Sequence, residues 1–354
     1  MKDKYMVDAY IDFQKKFLEI FDNAKKVVIT SHISPDDDSI GSVLSLYGIL
    51  NQIDLSKNIK IVYEGPIAER YSSFSNFDKI QFSEDISFLI EGADLLIIVD
   101  VNQYNRFSLQ PKKFKEIVNR VCIDHHASPP DEFIIACIEP SATSTTEVIY
   151  RIFNGKHELT KNIAETLFLG ILGDTGNFSH IGFEQSGILE ISKKLIDAGK
   201  ININEFRQRY STISKKVFEA IQELVKNTEC KTIDGWPNVQ YSYLTSQFIK
   251  TGNFLDEDIS AASHIYMSYY IRSLEGYLWG FVITPRSDKT CRISGRSSRG
   301  SVNVRDMLER MDIGGGHDRA SGGTIKSEDG SEIDAGKAVD VILNWMLANK
   351  PLLN

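Results

Sequence analysis

The stretch DLLIIVDV, residues 94–101, is an apolar run interrupted near its end by a carboxylate, Asp100. It lacks the polar alternation of a half-exposed strand, so it predicts a strand covered on both faces. VVIT (27–30), IKIVYEG (59–65), VCID (121–124) and FIIACIE (133–139) read as strands of the same sheet. Helical patterns at about 38–51, 143–154, 162–173 and 186–198 alternate with them. That alternation predicts an α/β fold with a doubly wound, mostly parallel sheet, whose ligands bind at the carboxyl ends of the strands. A long charged helical pattern without Pro or Gly runs from Asn202 to about Asn227, either connecting two domains or packing within one. Beyond it, NVQYSYLT (238–245), YLWGFVITP (277–285) and TCRISGRSS (290–298) alternate as strands. Helical stretches at about 258–273, 303–311 and 335–349 accompany them. The expected organisation is an α/β domain over 1–201, a helical connector over 202–228 and a smaller mixed α+β domain over 229–354.

Bulk composition narrows the function. A net charge of −8 over 354 residues opposes the wrapping of long double-stranded nucleic acid, which needs a surface that neutralises phosphates. Short anionic substrates stay open, because bound divalent cations reverse the local field of an acidic pocket. The four cysteines, Cys122, Cys137, Cys230 and Cys291, form no C-x-x-C pair and read as free thiols. The opening MKDKYMVDAYIDFQKKF is too charged for a secretory signal, and no apolar run is long enough to span a bilayer. A cytoplasmic protein without a membrane partner is expected, and the sequence leaves room for a homodimer.

Four constellations follow predicted elements. SHISPDDDSIGS (31–42) crowds His32, Asp36, Asp37 and Asp38 into a turn that Pro35 keeps from extending a helix. Carboxylates this close repel one another unless a cation holds them. The competing role is an N-cap, with Asp38 capping the helix that follows. Asp100 ends a second strand, where either an active-site carboxylate or a turn residue would stand. Asp124-His125-His126 ends a third, and neutral imidazoles beside a carboxylate suit transition metals. GILGDTGNF (170–178) sets Asp174 after a helix, with Gly173 and Gly176 permitting close backbone approach. The mixed His/carboxylate set favours two divalent cations, Mn²⁺ first and Mg²⁺ or Co²⁺ as substitutes.

The second half carries GRSSRGSVNVRD (295–306) and IGGGHDRASGG (313–323). Residues 286–300 hold Arg286, Lys289, Arg292, Arg296 and Arg299 against one acid, Asp288. A glycine triplet, Gly314-Gly315-Gly316, beside His317 predicts a loop whose backbone amides face an anion.

In this order the motifs resemble the DHH phosphoesterases, and the GGGH segment resembles the DHH-associated C-terminal domain of the two-domain, nanoRNase-type members. The resemblance implies one cation held by His32, Asp36 and Asp100 and another by Asp38, Asp100, His125 and Asp174, with Asp100 bridging. It implies that His126 touches the scissile phosphate and Asp124 orients the adjacent imidazole. Arg296 and the GGGH segment with His317 would grip the terminal nucleotide. Thr143-Ser144-Thr145 resembles a small polar segment of the family and equally suits a helix N-cap. One departure stands out: the position between Asp36 and Asp38 is often glycine in the family and here is Asp37, expected to point to solvent.

The implied activity is metal-dependent hydrolysis of oligonucleotides of two to five residues to mononucleotides, with 3′-phosphoadenosine 5′-phosphate as a further substrate. A phosphodiesterase for cyclic di-AMP or its linear product shares the same motifs. A pyrophosphatase would lack the GGGH segment, and a non-catalytic nucleotide-binding module would be expected to lack a ligand position.

Overall fold

A computed structural model describes residues 2–354 apart from 34, 66, 111–113, 115, 288 and 328–331, and the backbone alone at 2–6, 210 and 211. The chain divides into two compact units, Met1–Thr212 and Ile213–Asn354.

The first unit is built on six strands: β1 (Lys26–Thr30), β2 (Asn58–Glu64), β3 (Ile80–Ser83), β4 (Leu95–Val99), β5 (Asn119–Asp124) and β6 (Ile135–Ile138). All neighbours pair in parallel, in the order β3-β2-β1-β4-β5-β6. Helices cover both faces: α1 (Lys2–Asn23), α2 (Asp37–Ile53), α3 (Ser87–Ile90), α4 (Tyr104–Phe107), α5 (Thr145–Phe153), α6 (Lys161–Asp174), α7 (Ile188–Gly199) and α8 (Ile203–Ser211).

The non-alternating sequence of β4 is explained by two cores. Leu95, Ile97 and Val99 join a cluster with Phe17, Ile40 and Leu167, while Leu96 and Ile98 join another with Ile86, Phe107 and Phe114. Each such side chain gains about 1.5–3 kcal/mol on full burial, so a run apolar on every residue is most stable where both faces are covered. The strand order reverses at β1 and β4, which lie side by side. Connections leaving their carboxyl ends diverge to opposite faces and open a crevice there.

The stretch 202–227 is not one helix. It is α8 and α9 (Lys215–Lys226), interrupted where Thr212 takes an extended conformation and the Ser214 side chain caps α9 by accepting from Val217 N. Phe206 of α8 belongs to the first core, whereas Val217, Ala220, Ile221 and Leu224 of α9 belong to a cluster of the second unit.

That unit carries α9, β7 (Glu229–Lys231), β8 (Val239–Tyr243), α10 (Ser246–Gly252), α11 (Asp256–Tyr269), β9 (Trp279–Ser287), β10 (Thr290–Ser297), α12 (Val304–Arg310), β11 (Gly314–His317), β12 (Ala320–Lys326) and α13 (Ala335–Ala348). The sheet order is β11-β12-β10-β9-β8-β7, antiparallel except for the β8–β9 pair. The glycine triplet expected as a loop is thus an edge strand. A Cβ on Gly314 would meet Gly322 O at 2.2 Å, so the glycines first serve the close approach of β11 to β12. Asp288, the single acid of the 286–300 segment, lies outside the described residues.

Candidate active site

Four of the sequence constellations meet in the first unit, at the crevice between the ends of β1 and β4. His32 follows β1 and Asp100 follows β4, in adjacent parallel strands. Asp124-His125-His126 leaves β5, Asp36 and Asp38 open α2, and Asp174 closes α6. Three sets of ligand atoms lie within 4.8 Å of one another: His32, Asp36 and Asp100; Asp100, His125 and His126; Asp38, His125 and Asp174. Asp100 and His125 each belong to two of the sets, so the three form one continuous cluster.

Asp100 is at the centre. Its φ of 60° is a left-handed conformation that a non-glycine residue adopts only where the surroundings hold it. Here its N–H donates to Ile123 O at 3.0 Å, and its Oδ1 accepts from Thr145 Oγ1 at 3.0 Å. Oδ2 lies 3.3 Å from His32 Nε2, and Oδ1 lies 3.8 Å from both His125 Nε2 and His126 Nδ1.

The imidazoles are oriented by acceptors on their far sides. His32 Nδ1 is 3.1 Å from Ile33 O and His125 Nδ1 is 3.4 Å from Ala142 O. A carbonyl can only accept, so Nδ1 carries the proton and Nε2 faces the carboxylates as a ligand atom. For His125 that atom stands 3.0 Å from Asp174 Oδ2. His126 is turned the other way, with Nδ1 2.8 Å from Oδ1 of fully buried Asp124. The loop carrying it is clamped by Asn102, whose Nδ2 donates to His126 O at 3.1 Å and Ser128 O at 3.0 Å.

The carboxylates at the helix ends differ in their duties. The cap of α2 is Asp36, accepting from Ser39 N at 3.0 Å, and not Asp38. Asp38 instead reaches the first turn of α5, where it accepts from Thr145 N at 2.6 Å, Thr146 N at 3.0 Å and Thr146 Oγ1 at 2.8 Å. Thr143-Ser144-Thr145 fills both roles that its sequence allowed: Ser144 caps α5, and Thr145 ties Asp38 and Asp100 together. Asp37 does not point to solvent. Its side chain is 15% exposed and pairs with Arg70 at 2.7 Å, because the first turn of α2 directs it toward the 3₁₀ turn Glu69–Tyr71.

The packing of α2 on α6 leaves no room for larger residues. A Cβ on Gly170 would stand 2.4 Å from both Asp38 Oδ1 and Thr146 Oγ1, and one on Gly173 would stand 2.4 Å from Asp37 Cβ. Gly170→Ala is therefore expected to displace Asp38 and to destabilise the fold by about 1–3 kcal/mol, the usual range for overpacking. Thermal unfolding and a Mn²⁺ titration of the variant check this; unchanged values in both would refute it.

Electrostatically the cluster is crowded. Burial pushes the Asp100 carboxyl well above the usual carboxylate range, and the Asp38 charge adds to the rise. Burial and Asp38 likewise push Asp174 up to about 7. Burial opposes charge on His32 and His125, yet the carboxylates around each overcome it and raise both imidazoles well above their ordinary value. Asp124, although burial works against it, is held below the ordinary range by its bond to His126. Its Oδ2 is buried without a hydrogen-bond partner among the described residues. Buried carboxylates that push each other toward protonation, beside imidazole nitrogens aimed at them, are a donor set that fits divalent cations.

The second unit contains the remaining candidates. Arg296 on β10 pairs with Ala320, which pairs with His317 on β11, so the two lie in one row across three strands. Burial lowers the Arg296 guanidinium to about 10, with Arg272 and Arg292 adding to the fall.

The DHH family, N-terminal domain, matches residues 26–171, and the DHHA1 domain matches residues 240–347. The chain carries a DHH domain followed by a DHHA1 domain. It is 27% identical over 315 residues to the cyclic-di-AMP phosphodiesterase PdeA of Listeria monocytogenes, covering 84% of this chain and 44% of that protein. It is 26% identical over 310 residues to the bifunctional oligoribonuclease and PAP phosphatase NrnA of Bacillus subtilis, covering 86% of this chain and 90% of that protein. An exopolyphosphatase-related protein from Bacteroides fragilis shares the fold, with a TM-score of 0.79 at 23% identity, over 96% of this chain and 97% of that one. Members of this DHH phosphoesterase family hydrolyse phosphoester bonds, and this chain is a hydrolase of that class.

The sequence reading missed Thr146, Asn102, Arg70 and Tyr71. An Asn two residues after a strand-end Asp was the only local signal for Asn102. Arg70 and Tyr71 carried none, because they reach Asp37 across 33 and 34 residues.

Proposed function

We propose that this chain hydrolyses short oligonucleotides to mononucleotides and also accepts 3′-phosphoadenosine 5′-phosphate. The observation that carries the reading is the continuous donor cluster of His32, Asp36, Asp38, Asp100, His125 and Asp174 at the switch point of the first sheet. Similarity to NrnA over most of both chains supports the substrate class. His32, Asp36 and Asp100 would hold one cation, and Asp38, Asp100, His125 and Asp174 a second, with Mn²⁺ preferred and Mg²⁺ or Co²⁺ as alternatives. Such cations supply positive charge that polarises a phosphoryl group and acidifies water. The protein's own contribution is orientation. Asp124 holds Nδ1 of His126, so Nε2 is the ring atom assigned to a phosphoryl oxygen, and Asn102 fixes the loop that carries it. No helix among the described residues is long and apolar enough to cross a membrane, and the four thiols form no disulfide, so we assign the protein to the cytoplasm.

Similarity to PdeA favours a second reading, hydrolysis of cyclic di-AMP or its linear product. A panel of dinucleotides, cyclic di-AMP, 3′-phosphoadenosine 5′-phosphate and pyrophosphate, each with Mn²⁺, separates the two. Fastest turnover of the linear dinucleotides is expected. Faster turnover of cyclic di-AMP would replace the first reading by the second, and turnover of none would overturn both.

Arg296, Gly314–Gly316 and His317 are assigned to the non-reacting end of the substrate, where they supply remote binding energy. Arg296→Ala or His317→Ala should lower kcat/KM on a dinucleotide by about ten- to a hundredfold, the worth of one charge-assisted bond to phosphate. Hydrolysis of a minimal activated phosphodiester should barely change. Equal losses on the two substrates would remove the anchor.

A further inference from the structure

Asp37 stands between two residues of the donor cluster, at a position that is often glycine in the family. Its Oδ1 accepts from Arg70 Nη2 at 2.7 Å and from Tyr71 Oη at 2.7 Å. Arg70 Nη2 also donates to Tyr71 Oη, and the guanidinium carbon sits 4.5 Å from the centre of the Tyr71 ring. The three side chains form a closed triangle of hydrogen bonds beneath a cation–π contact. Its base is rigid. Tyr71 is fully buried in the main core, and Phe74 of the same segment packs edge-on against Phe206 of α8.

Only Nη2 of Arg70 is used. Among the described residues Nε and Nη1 have no protein acceptor, and the side chain is 37% exposed. A guanidinium offers five N–H donors in a fixed plane, and a carboxylate that engages one edge leaves the others oriented. The field of Asp36, a member of the donor cluster, also reaches both Arg70 and Tyr71. An ordinary surface ion pair is worth about 0–1 kcal/mol and needs neither a buried tyrosine nor a glycine cut to admit its carboxylate. Here Gly173 supplies that cut, since a Cβ there would stand 2.4 Å from Asp37 Cβ.

We propose that Arg70 is a substrate-contacting cation of the active site, donating from one of its remaining N–H groups, on Nε or on Nη1, to a non-bridging oxygen of the phosphate under attack, and that Asp37 and Tyr71 are its positioning residues. This rests on the phosphoesterase reading above. Unlike Arg296, Arg70 would act on the reacting phosphate itself, so its contribution does not depend on substrate length.

The test uses full-length protein loaded with Mn²⁺ and the variants Arg70→Ala, Arg70→Gln, Arg70→Lys and Asp37→Asn. Arg70→Ala and Arg70→Gln should each lower kcat/KM by about ten- to a hundredfold, and equally on a dinucleotide and on a minimal activated phosphodiester. Bound Mn²⁺ should match wild type, Arg70→Lys should recover part of the loss, and free guanidinium ion should partly rescue Arg70→Ala. Asp37→Asn should lose less than Arg70→Ala. Wild-type rates in Arg70→Gln, with only Tm changed, would reduce the triangle to a structural clamp and overturn the proposal. A wild type inactive on every substrate would sink the phosphoesterase reading instead. In that case inorganic phosphate binding to the Mn²⁺-loaded protein decides: about tenfold weaker binding in Arg70→Gln supports the contact, and equal binding overturns it.

Discussion

Asp100→Ala should abolish measurable turnover while leaving a folded protein. Asp100 shares its two oxygens among His32, His125 and His126 and belongs to two of the three ligand sets. Its loss removes a ligand common to two neighbouring cation positions. If each cation contributes several kcal/mol to transition-state stabilisation, kcat falls by about 10³-fold or more at 1.36 kcal/mol per decade. The fold should persist, because β4 ends at Val99 and its register with β1 and β5 does not depend on the Asp100 side chain. Alanine tolerates the left-handed φ less well than aspartate, a small added cost to stability that Asp100→Asn separates, since asparagine tolerates that conformation and keeps the shape. Bound Mn²⁺ and kcat measured on both variants check the assignment. Near-normal metal content with near-normal rates in Asp100→Ala would remove Asp100 from the centre of the site.

Exhaustive chelation should likewise abolish activity, and Mn²⁺ should restore it. The same experiment has a readout that needs no substrate. Burial raises the Asp100 and Asp174 carboxyls, the latter to about 7, so the folded chelated protein binds protons there that the unfolded chain has released by about pH 5. His32 and His125 are also raised, so their stabilising contribution is complete below about 6.5 and is lost as pH climbs through their folded values. All four groups bind more protons folded than unfolded, and stability falls with pH wherever that holds. Asp36 and Asp124 shift the other way, but their contributions change only below about pH 4, outside this window. Tm of the chelated protein should therefore fall between about pH 5.5 and pH 8. Added Mn²⁺ should raise Tm most at the upper end, where the ligands are deprotonated and metal affinity is greatest. A chelated protein with full activity, or one whose Tm ignores both pH and Mn²⁺, would dismiss the cation cluster.

The α/β reading rested on DLLIIVDV, VVIT and VCID, which from Leu95, Val27 and Val121 onward are apolar until the strand ends. Such runs have one stable environment in a soluble domain, and they became β4, β1 and β5. Less patterned elements stayed hidden. The helix Lys2–Asn23 opens on charged residues that masked the apolar stripe of Phe13, Phe17 and Phe21. The strand Ile80–Ser83 is short and half exposed, with no run to mark it. Ser214 was a cap signal inside an unbroken charged pattern, and composition alone did not separate it from a helix interior. The glycines of GGGH read as a loop because glycine favours loops locally. Only the partner strand, with Gly322 and Gly323 opposite, shows that close strand approach was the demand.

For the site, sequence by itself determined which side chains follow which strands, and hence that His32, Asp100 and His125 emerge at carboxyl ends of one parallel sheet. Strand polarity and period suffice for that, because each is local. Tertiary structure alone decided what each carboxylate does. Asp36 caps, Asp38 crosses to Thr145 and Thr146, and Asp37 turns to Arg70, although the three are adjacent in sequence. Successive residues in a helical turn point about 100° apart, so each meets a different neighbour. Asp36 finds its partner locally in Ser39, but the neighbours of Asp37 and Asp38 come from segments 33 to 108 residues away, and their arrival is set by packing that local sequence does not encode.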